Sequence, residues 1–399
     1  MRFYKYPAHG CVGLRCCCWH SRRMEMALSH EEDVSGMNLP RPYSESPYME
    51  FSKLRSSATY NLATSGLMNS TISDLDLDLS ELDIHGPTLY GYAPLREAVA
   101  AMKGVTAESV VLTTGTSMAN HLAMSALFAT GDEVLIEEPT YELILTTAQY
   151  LGARVRRFQR RAEDNYALDP QEVAEQLSAS TRLIVLSNMH NPTSVLATEE
   201  SLRAVGEMAN EIGARILIDE VYLETLHHPP VPTSFLFGNQ FVVTSSLTKA
   251  YGLSGLRCGW ILAEPELAER IWRLNDLFAA TPVHIAELLS LRAIEQIEKF
   301  GRRADIILDI NRRSFSEILA AHPAIEVRLS PVGTTAFPRL REGRVPAFCD
   351  FLRDSYQTSV VPGSYFESPD YFRVGLAGDV DMTREGLLRL ATALDQWKV

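Results

Sequence analysis

Lys249 follows directly on an apolar run, Phe241-Val242-Val243-Thr244-Ser245, with hydroxyls at Ser246 and Thr248 before it and Arg257 after it. An ammonium group at the end of a buried strand must shed water, and desolvation lowers a lysine pKa. An amine tuned in this way attacks aldehydes. The nearby hydroxyls and guanidinium can hold an anion beside it. The grouping suggests a lysine that binds an aldehyde cofactor carrying a phosphate. Ser246-x-x-Lys249 also fits the nucleophile motif of penicillin-binding proteins and β-lactamases. Their companion tripeptides, Ser-Asp-Asn and Lys-Thr-Gly, occur nowhere in the chain.

Other segments carry chemistry of the same kind. Thr113-Thr114-Gly115-Thr116-Ser117 combines a turn glycine with two hydroxyls that can cap a following helix. A helix start of this type binds anions, although an ordinary cap has the same composition. Tyr141, after Glu137-Glu138-Pro139-Thr140, can stack on a flat ring or simply pack on a sheet edge. Asn191 precedes Pro192 and is therefore held extended, which aims its amide. Asp219 ends the run Ile216-Leu217-Ile218, and a carboxylate there needs a cation or donor. Tyr222 follows three residues later. Arg373 lies in Tyr371-Phe372-Arg373-Val374-Gly375, where a guanidinium calls for a carboxylate, from a ligand or from an internal salt bridge. Jointly these residues describe one ligand: a planar, phosphorylated aromatic aldehyde with a protonated ring nitrogen.

The elements that must position them are legible as alternating patterns. Short apolar runs at 109–113, 133–136, 154–158, 182–186, 215–219, 241–244 and 259–262 predict strands. Segments with helical spacing, such as 118–128, 141–151 and 199–212, lie between them. Strands alternating with helices imply an α/β fold with a mostly parallel seven-stranded sheet between helices. Ligands of such sheets bind beyond the carboxyl ends of the strands, and the residues above follow strand ends. After Pro282 the pattern predicts a smaller α+β part. Its long helix spans 284–320, weakly interrupted at Gly301. Strands follow near 326–329, 336–340 and 371–376, and a helix at 384–397 comes last. The resulting division is an extension over 1–24, the first part of a small domain over 25–80, a large cofactor-binding domain over 81–282 and the rest of the small domain over 283–399. The turn-rich residues 40–80 are expected to pack with the C-terminal part.

Composition narrows the function classes. A formal net charge of −13 argues against nucleic-acid binding, and no apolar run is long enough for a membrane-spanning helix. The first 23 residues stand apart, with Arg2, Lys5, Arg15, Arg22 and Arg23, no acid, and Cys11, Cys16, Cys17 and Cys18. They lack the continuous apolar core of a secretory signal. Three consecutive cysteines do not have zinc-ligand spacing, so no metal is expected. The segment reads as a disordered upstream extension, with Met24 or Met26 as initiator. Cys258 and Cys349 give no disulfide framework, which points to a reducing cytoplasm.

From about residue 40 onward the chain resembles the class I/II aminotransferases, fold-type I pyridoxal-phosphate enzymes. Asn191-Pro192-Thr193, Asp219-Glu220-Val221-Tyr222, Ser246-x-x-Lys249 with Arg257, and Arg373 carry the resemblance through their order and spacing. It implies that Lys249 forms a Schiff base with pyridoxal 5′-phosphate and that Asp219 pairs with the ring nitrogen. Tyr222 and Asn191 would bond the ring's phenolic oxygen, and Tyr141 would stack on the ring. Gly115, Thr116, Ser117, Ser246 and Arg257 would hold the phosphate. Arg373 would clamp the substrate carboxylate, and Gly66 would touch the substrate. Tyr90 would reach the phosphate site of a partner subunit in a homodimer. The implied reaction moves an amino group from an L-amino acid to a 2-oxo acid, with Lys249 as the proton carrier.

Two departures qualify the resemblance. The family's usual Asn-Pro-Thr-Gly ends here in Ser194, and no arginine lies close to Thr281-Pro282-Val283, where dicarboxylate-specific members carry one. Arg273 and Arg292 are the nearest, which weighs against aspartate. The alternative on the same scaffold is a β-lyase, a cyclopropane-carboxylate-type synthase or a decarboxylase. A regulator's effector domain would need a winged-helix module, for which the residues ahead of the match leave no room.

Overall fold

Apolar runs bounded by turn residues become seven strands. They are β1 (Val110–Thr114), β2 (Glu133–Glu138), β3 (Arg154–Gln159), β4 (Thr181–Ser187), β5 (Arg215–Asp219), β6 (Phe241–Ser246) and β7 (Cys258–Leu262). They form one sheet in the order β1-β7-β6-β5-β4-β2-β3. The structure is a computed structural model that describes residues 43–226 and 230–398. The extension expected over 1–24 lies outside those residues.

The five strands β3, β2, β4, β5 and β6 run parallel, whereas β7 runs antiparallel to both β6 and β1. Two reversals restore the direction, so β1 points the same way as β6. Thr114 and Ser246 therefore flank the start of β7, paired with Cys258 and Gly259. Six strands end on one edge, and the seventh begins there.

Each central strand is apolar on both faces, and its period of two divides the core in two. Ile184, Leu186, Ile216, Ile218 and Val243 face one layer, with Leu95 and Val99 of α1 (Ala93–Lys103) and Leu202 and Val205 of α5 (Glu199–Glu211). Ala293 of α7 (His284–Glu295) completes that layer. Leu183, Val185, Leu217 and Val242 face the other layer. It contains α2 (Thr116–Leu127), α3 (Glu142–Tyr150) and α6 (Pro265–Asn275). Truncating one of these leucines or isoleucines to alanine costs about 2–5 kcal/mol. A further short helix, α4 (Pro170–Gln176), connects β3 to β4.

A third cluster is built from α8 (Ile297–Ile318), α9 (Val345–Tyr356), α10 (Val380–Gln396) and short strands. The long helix expected over 284–320 is broken, but at Gln296 and not at Gly301. Gln296 leaves helical geometry at φ −114°, ψ 18°, between α7 and α8, while Gly301 is buried inside α8. One glycine lowers helix propensity by only about 1 kcal/mol, and packing overrides it. The late strands are shorter and more numerous than expected: β8 (Ile325–Glu326), β9 (Thr335–Ala336), β10 (Arg339–Leu340), β11 (Thr358–Ser359), β12 (Val361–Pro362) and β13 (Phe372–Gly375). Early residues close this cluster. Tyr60–Asn61 pairs in parallel with β11, and Leu62 sits in the same core. Residues 60–62 of the turn-rich early segment thus pack with the C-terminal elements, whereas Leu75 joins the core of the large sheet.

Among the described residues no helix is long and apolar enough to cross a membrane, and no cluster of His, Cys, Asp or Glu could hold a metal ion. Cys258 and Cys349 are buried free thiols.

Glu287, in the first turn of α7, is mostly buried and accepts one bond, from the Tyr92 N–H at 3.0 Å. Burial lifts its carboxyl to about 7 against that single bond. A raised acid pKa favours the folded state below the unfolded value, and this stability is lost as pH rises through the folded one. Glu287→Gln should therefore match the parent in thermal unfolding near pH 4.5 and exceed it at pH 8. A gap that shrinks with rising pH would contradict this.

Candidate active site

The carboxyl edge of the sheet gathers most of the residues singled out by the sequence. Lys249 lies three residues past β6, half-buried, with Nζ 3.4 Å from the Ser65 hydroxyl. Ser65 in turn shares a 2.7 Å hydrogen bond with the Tyr222 hydroxyl. Gly66 lies against the lysine stem: a Cβ there would sit 3.2 Å from Lys249 Cδ.

Asp219 ends β5 and is buried. Its Oδ2 accepts from Asn120 Nδ2 at 2.8 Å, and its Oδ1 accepts from the Val221 N–H at 3.1 Å. Asn120 is itself oriented, because Thr244 Oγ1 donates to its Oδ1 at 2.6 Å. Burial raises the Asp219 pKa, while these donors and the charge of Lys249 act in the opposite sense. A cation across the cavity would complete the set.

An anion cradle forms where β1 turns into α2. Gly115 occupies the cap position at φ 83°, and no side chain caps the helix. Thr116 and Ser117 were expected as caps, but they are the first two residues of the helix. Glycine's left-handed backbone makes the turn, leaving first-turn N–H groups for an anion. Thr116 Oγ1 donates to Ser246 Oγ at 2.8 Å. Arg257, also left-handed at φ 51°, reaches over with Nη2 3.3 Å from the Thr114 carbonyl. A Cβ on Gly115 would lie 2.4 Å from Arg257 Nη2, and one on Gly259 would lie 2.6 Å from the Gly115 carbonyl carbon. Only glycines allow this approach.

Arg373, on β13, is fully buried, and among the described residues no acid pairs with it. Its Nη1 donates to Asn191 Oδ1 at 3.0 Å, and its Nη2 donates to the Tyr48 hydroxyl at 3.0 Å and the Ala63 carbonyl at 3.2 Å. A guanidinium only donates, so it fixes the Asn191 amide with its oxygen inward and its NH2 free to donate elsewhere. The Asn191 backbone is held from behind. Its N–H donates to Ser187 Oγ at 3.1 Å, and that hydroxyl donates to Glu137 Oε1 at 2.6 Å. Glu137 also pairs with Arg160 at 2.9 Å, with both side chains fully buried. Ser194, the departure from the usual glycine, sits at φ 62°, and its hydroxyl bonds Thr335 Oγ1 at 2.8 Å.

A cavity of about 220 Å³ opens between these groups. It is lined by Tyr48, Ser65, Thr116, Ser117, Asn120, Tyr141, Asn191, Asp219, Tyr222, Lys249 and Arg257, among others. Tyr141 stands edge-on to Tyr48 at 5.2 Å, and burial raises its phenol well above the usual value. Gly115, Ser246 and Arg373 lie behind the lining, bonded to or packed against residues of it. Tyr90 is not part of it. It is partly exposed, stacks on Trp272 at 6.2 Å and bonds Asp276 at 3.4 Å.

Three site residues escaped the sequence reading. Asn120 stands one turn after Thr116, so both lie on one helix face. An asparagine on the apolar face of Ala119, Leu122 and Ala123 was a usable signal. Ser65 adjoins Gly66, but nothing marked its hydroxyl. Tyr48 lies in a four-residue helix, Pro47–Glu50, which has no periodicity to read.

The donor set fits pyridoxal phosphate. A glycine cradle under an arginine suits a phosphate, and a buried carboxylate opposite suits a protonated ring nitrogen. A half-buried lysine between them suits an aldehyde carbon.

The family model for aminotransferase class I and II matches residues 80–394. A capreomycidine synthase from Streptomyces vinaceus is 30% identical over 84% of this chain and 90% of its own length. A PLP-dependent aminotransferase from Streptococcus suis superposes with a TM-score of 0.83 at 24% identity, covering 88% of this chain and 97% of that one. The PLP-dependent cyclase OrfR gives 0.79 at 26% identity over 89% and 99%.

Gly115→Ala should push Arg257 aside and strain the turn, weakening pyridoxal phosphate binding roughly ten- to a hundredfold. Absorbance titration of the cofactor-free protein measures this, with circular dichroism to confirm folding. Unaltered affinity would remove the cradle from the phosphate site.

Proposed function

As a member of the aminotransferase class I and II family, and so a pyridoxal-phosphate-dependent enzyme, the chain is one that we propose transfers the amino group of an L-amino acid to a 2-oxo acid. The observation that carries this reading is the convergence of Lys249, Asp219 and the Gly115–Arg257 cradle on one cavity, with Arg373 buried behind Asn191. Lys249 is the amine that anchors the cofactor. Asp219, steadied by Asn120, would keep a proton on the ring nitrogen. The bound cofactor supplies an electron sink for the pair released at the substrate α-carbon.

The protein's own groups handle binding and protons. Asn191 and Tyr222 would hold the ring through its phenolic oxygen. The first turn of α2, with Ser246 and Arg257, neutralises the phosphate. Arg373 takes the substrate's α-carboxylate. Lys249 Nζ, when not holding the cofactor, would serve as the base that carries the substrate's α-proton. Tyr90, exposed as Leu89, Leu277 and Phe278 are, suits contact with a partner's phosphate site in a homodimer. Buried unpaired thiols suit a reducing cytoplasm. Residues 81–282 act as the cofactor-binding domain, with α7 packed on its sheet, and the segments expected over 25–80 and 283–399 supply the smaller one.

A second reading is another reaction of the same scaffold, such as cyclisation, elimination or decarboxylation. It is favoured by the likeness to capreomycidine synthase and to the cyclase OrfR. Lys249, Asp219 and Arg373 serve both readings.

The wild-type protein should take up pyridoxal phosphate with a visible band that Lys249→Ala loses or shifts. Spectra recorded with each amino acid in turn, followed by product analysis, separate the two readings. A 2-oxo acid with recovery of the amino group on a second oxo acid supports transamination. Ammonia, carbon dioxide or a ring-closed amino acid overturns it in favour of the second reading.

A further inference from the structure

Arg373 presents a problem of access. A buried guanidinium is poorly stable without an anion, yet its partners are all neutral: Asn191 Oδ1, the Ala63 carbonyl and the Tyr48 hydroxyl. Among the described residues its Nε has no partner. The side chain is 0% exposed, shut in by the rings of Tyr48 and Phe366, whose centroids lie 5.7 and 4.9 Å from its central carbon. No carboxylate reaches it unless a neighbour yields.

The choice of neighbour is narrow. Ala63 offers a backbone carbonyl, fixed by its place beside the Tyr60–Asn61 strand. Phe366 is buried and does not line the cavity. Asn191 lines the cavity, but the Ser187–Glu137–Arg160 chain holds it from behind. Tyr48 both lines the cavity and caps Arg373, and its ring ends in a single acceptor on Nη2. It stands on the short Pro47–Glu50 helix. That helix is tied by the Ser46 hydroxyl, which donates to Glu142 Oε2 at 2.5 Å and accepts from the Met49 N–H at 3.1 Å.

We propose that Tyr48 is a stand-in for the substrate's α-carboxylate: its phenol oxygen holds the acceptor position on Arg373 Nη2 until the carboxylate displaces it. The electrostatics agree. Burial raises the Tyr48 phenol, but the positive charges of Arg373 and Lys249 outweigh burial and bring it below its ordinary value. The phenol oxygen thus faces Arg373 as an acceptor while the site waits. Tyr48 also sets specificity, because a ligand must offer Arg373 a stronger acceptor than a phenol. A carboxylate does so bidentately, and an amine lacking one does not.

The proposal rests on Arg373 as the carboxylate site, and the test separates the two claims. Propionate is titrated into the pyridoxal-phosphate-loaded protein, with calorimetry as readout, for wild type, Tyr48→Phe and Arg373→Ala. Tyr48→Phe keeps the ring but removes the competing acceptor, so propionate should bind about three- to tenfold tighter, the equivalent of one hydrogen bond. Unchanged or weaker binding overturns the stand-in role, since a merely structural tyrosine would not tighten binding when altered. If Arg373→Ala binds propionate as well as wild type does, the carboxylate site itself falls, and the proposal with it. If Arg373→Ala weakens binding while Tyr48→Phe fails to tighten it, only the stand-in role falls.

Discussion

The carboxylate of Asp219 sits at the end of a strand that is apolar on both faces, and the rest of the site is arranged around keeping it there. Left bare, such a group costs several kcal/mol and would take up a proton. Asn120 and the Val221 N–H supply two donors, and Thr244 locks Asn120 in the orientation that gives them. Those residues come from α2, β6 and the chain just after β5. The sheet order must therefore bring these elements together before the carboxylate is tolerable. The same order puts the glycine turn of β1 beside the start of β7, because β7 runs against its neighbours. One topological fact thus serves both the buried carboxylate and the glycine cradle.

A second group of charges is managed differently. Glu137 and Arg160 are both fully buried and pair at 2.9 Å, so their opposite charges offset each other. Their value to the site lies in geometry. Glu137 holds Ser187, and Ser187 holds the Asn191 backbone, so the amide facing Arg373 has little freedom. His190 extends the same floor, with bonds to the Pro139 carbonyl and Thr193. Burial keeps its pKa well below the usual value, so it remains neutral beside Arg160. Asp219 is thus exposed to a ligand's charge, whereas this cluster is sealed from it.

Much of this was legible in the sequence, for a definite reason. Parallel strands covered on both faces must be continuous apolar runs, and residues just beyond them must sit at the ligand-binding edge. Leu183 to Leu186 and Ile216 to Ile218 are such runs, so Asn191, Asp219 and Lys249 could be placed from pattern alone. The glycine at 115 was legible, but the division of labour around it was not. Whether Thr116 caps the helix or begins it depends on one φ angle. The C-terminal half was harder, because β8 to β13 are two to four residues long and no periodicity develops over that length. Gln296 is equally silent: nothing in its type announces a helix break, whereas Gly301 looks like one and is packed through. Tyr48 and Ser65 owe their roles to contacts with residues more than a hundred positions away.

The parallel pairing of Tyr60–Asn61 with β11 joins residues almost three hundred positions apart. Leu62 and Ala63 then complete the last core cluster and one face of Arg373. During synthesis this early segment leaves the ribosome first, yet its partners are among the last to emerge. The large sheet can assemble while the chain is still growing, but the carboxylate end of the site cannot. A ribosome-bound chain halted before β11 would hold the glycine cradle and the lysine without the arginine. The glycine cradle is therefore complete before the pocket around Arg373 in the order of manufacture.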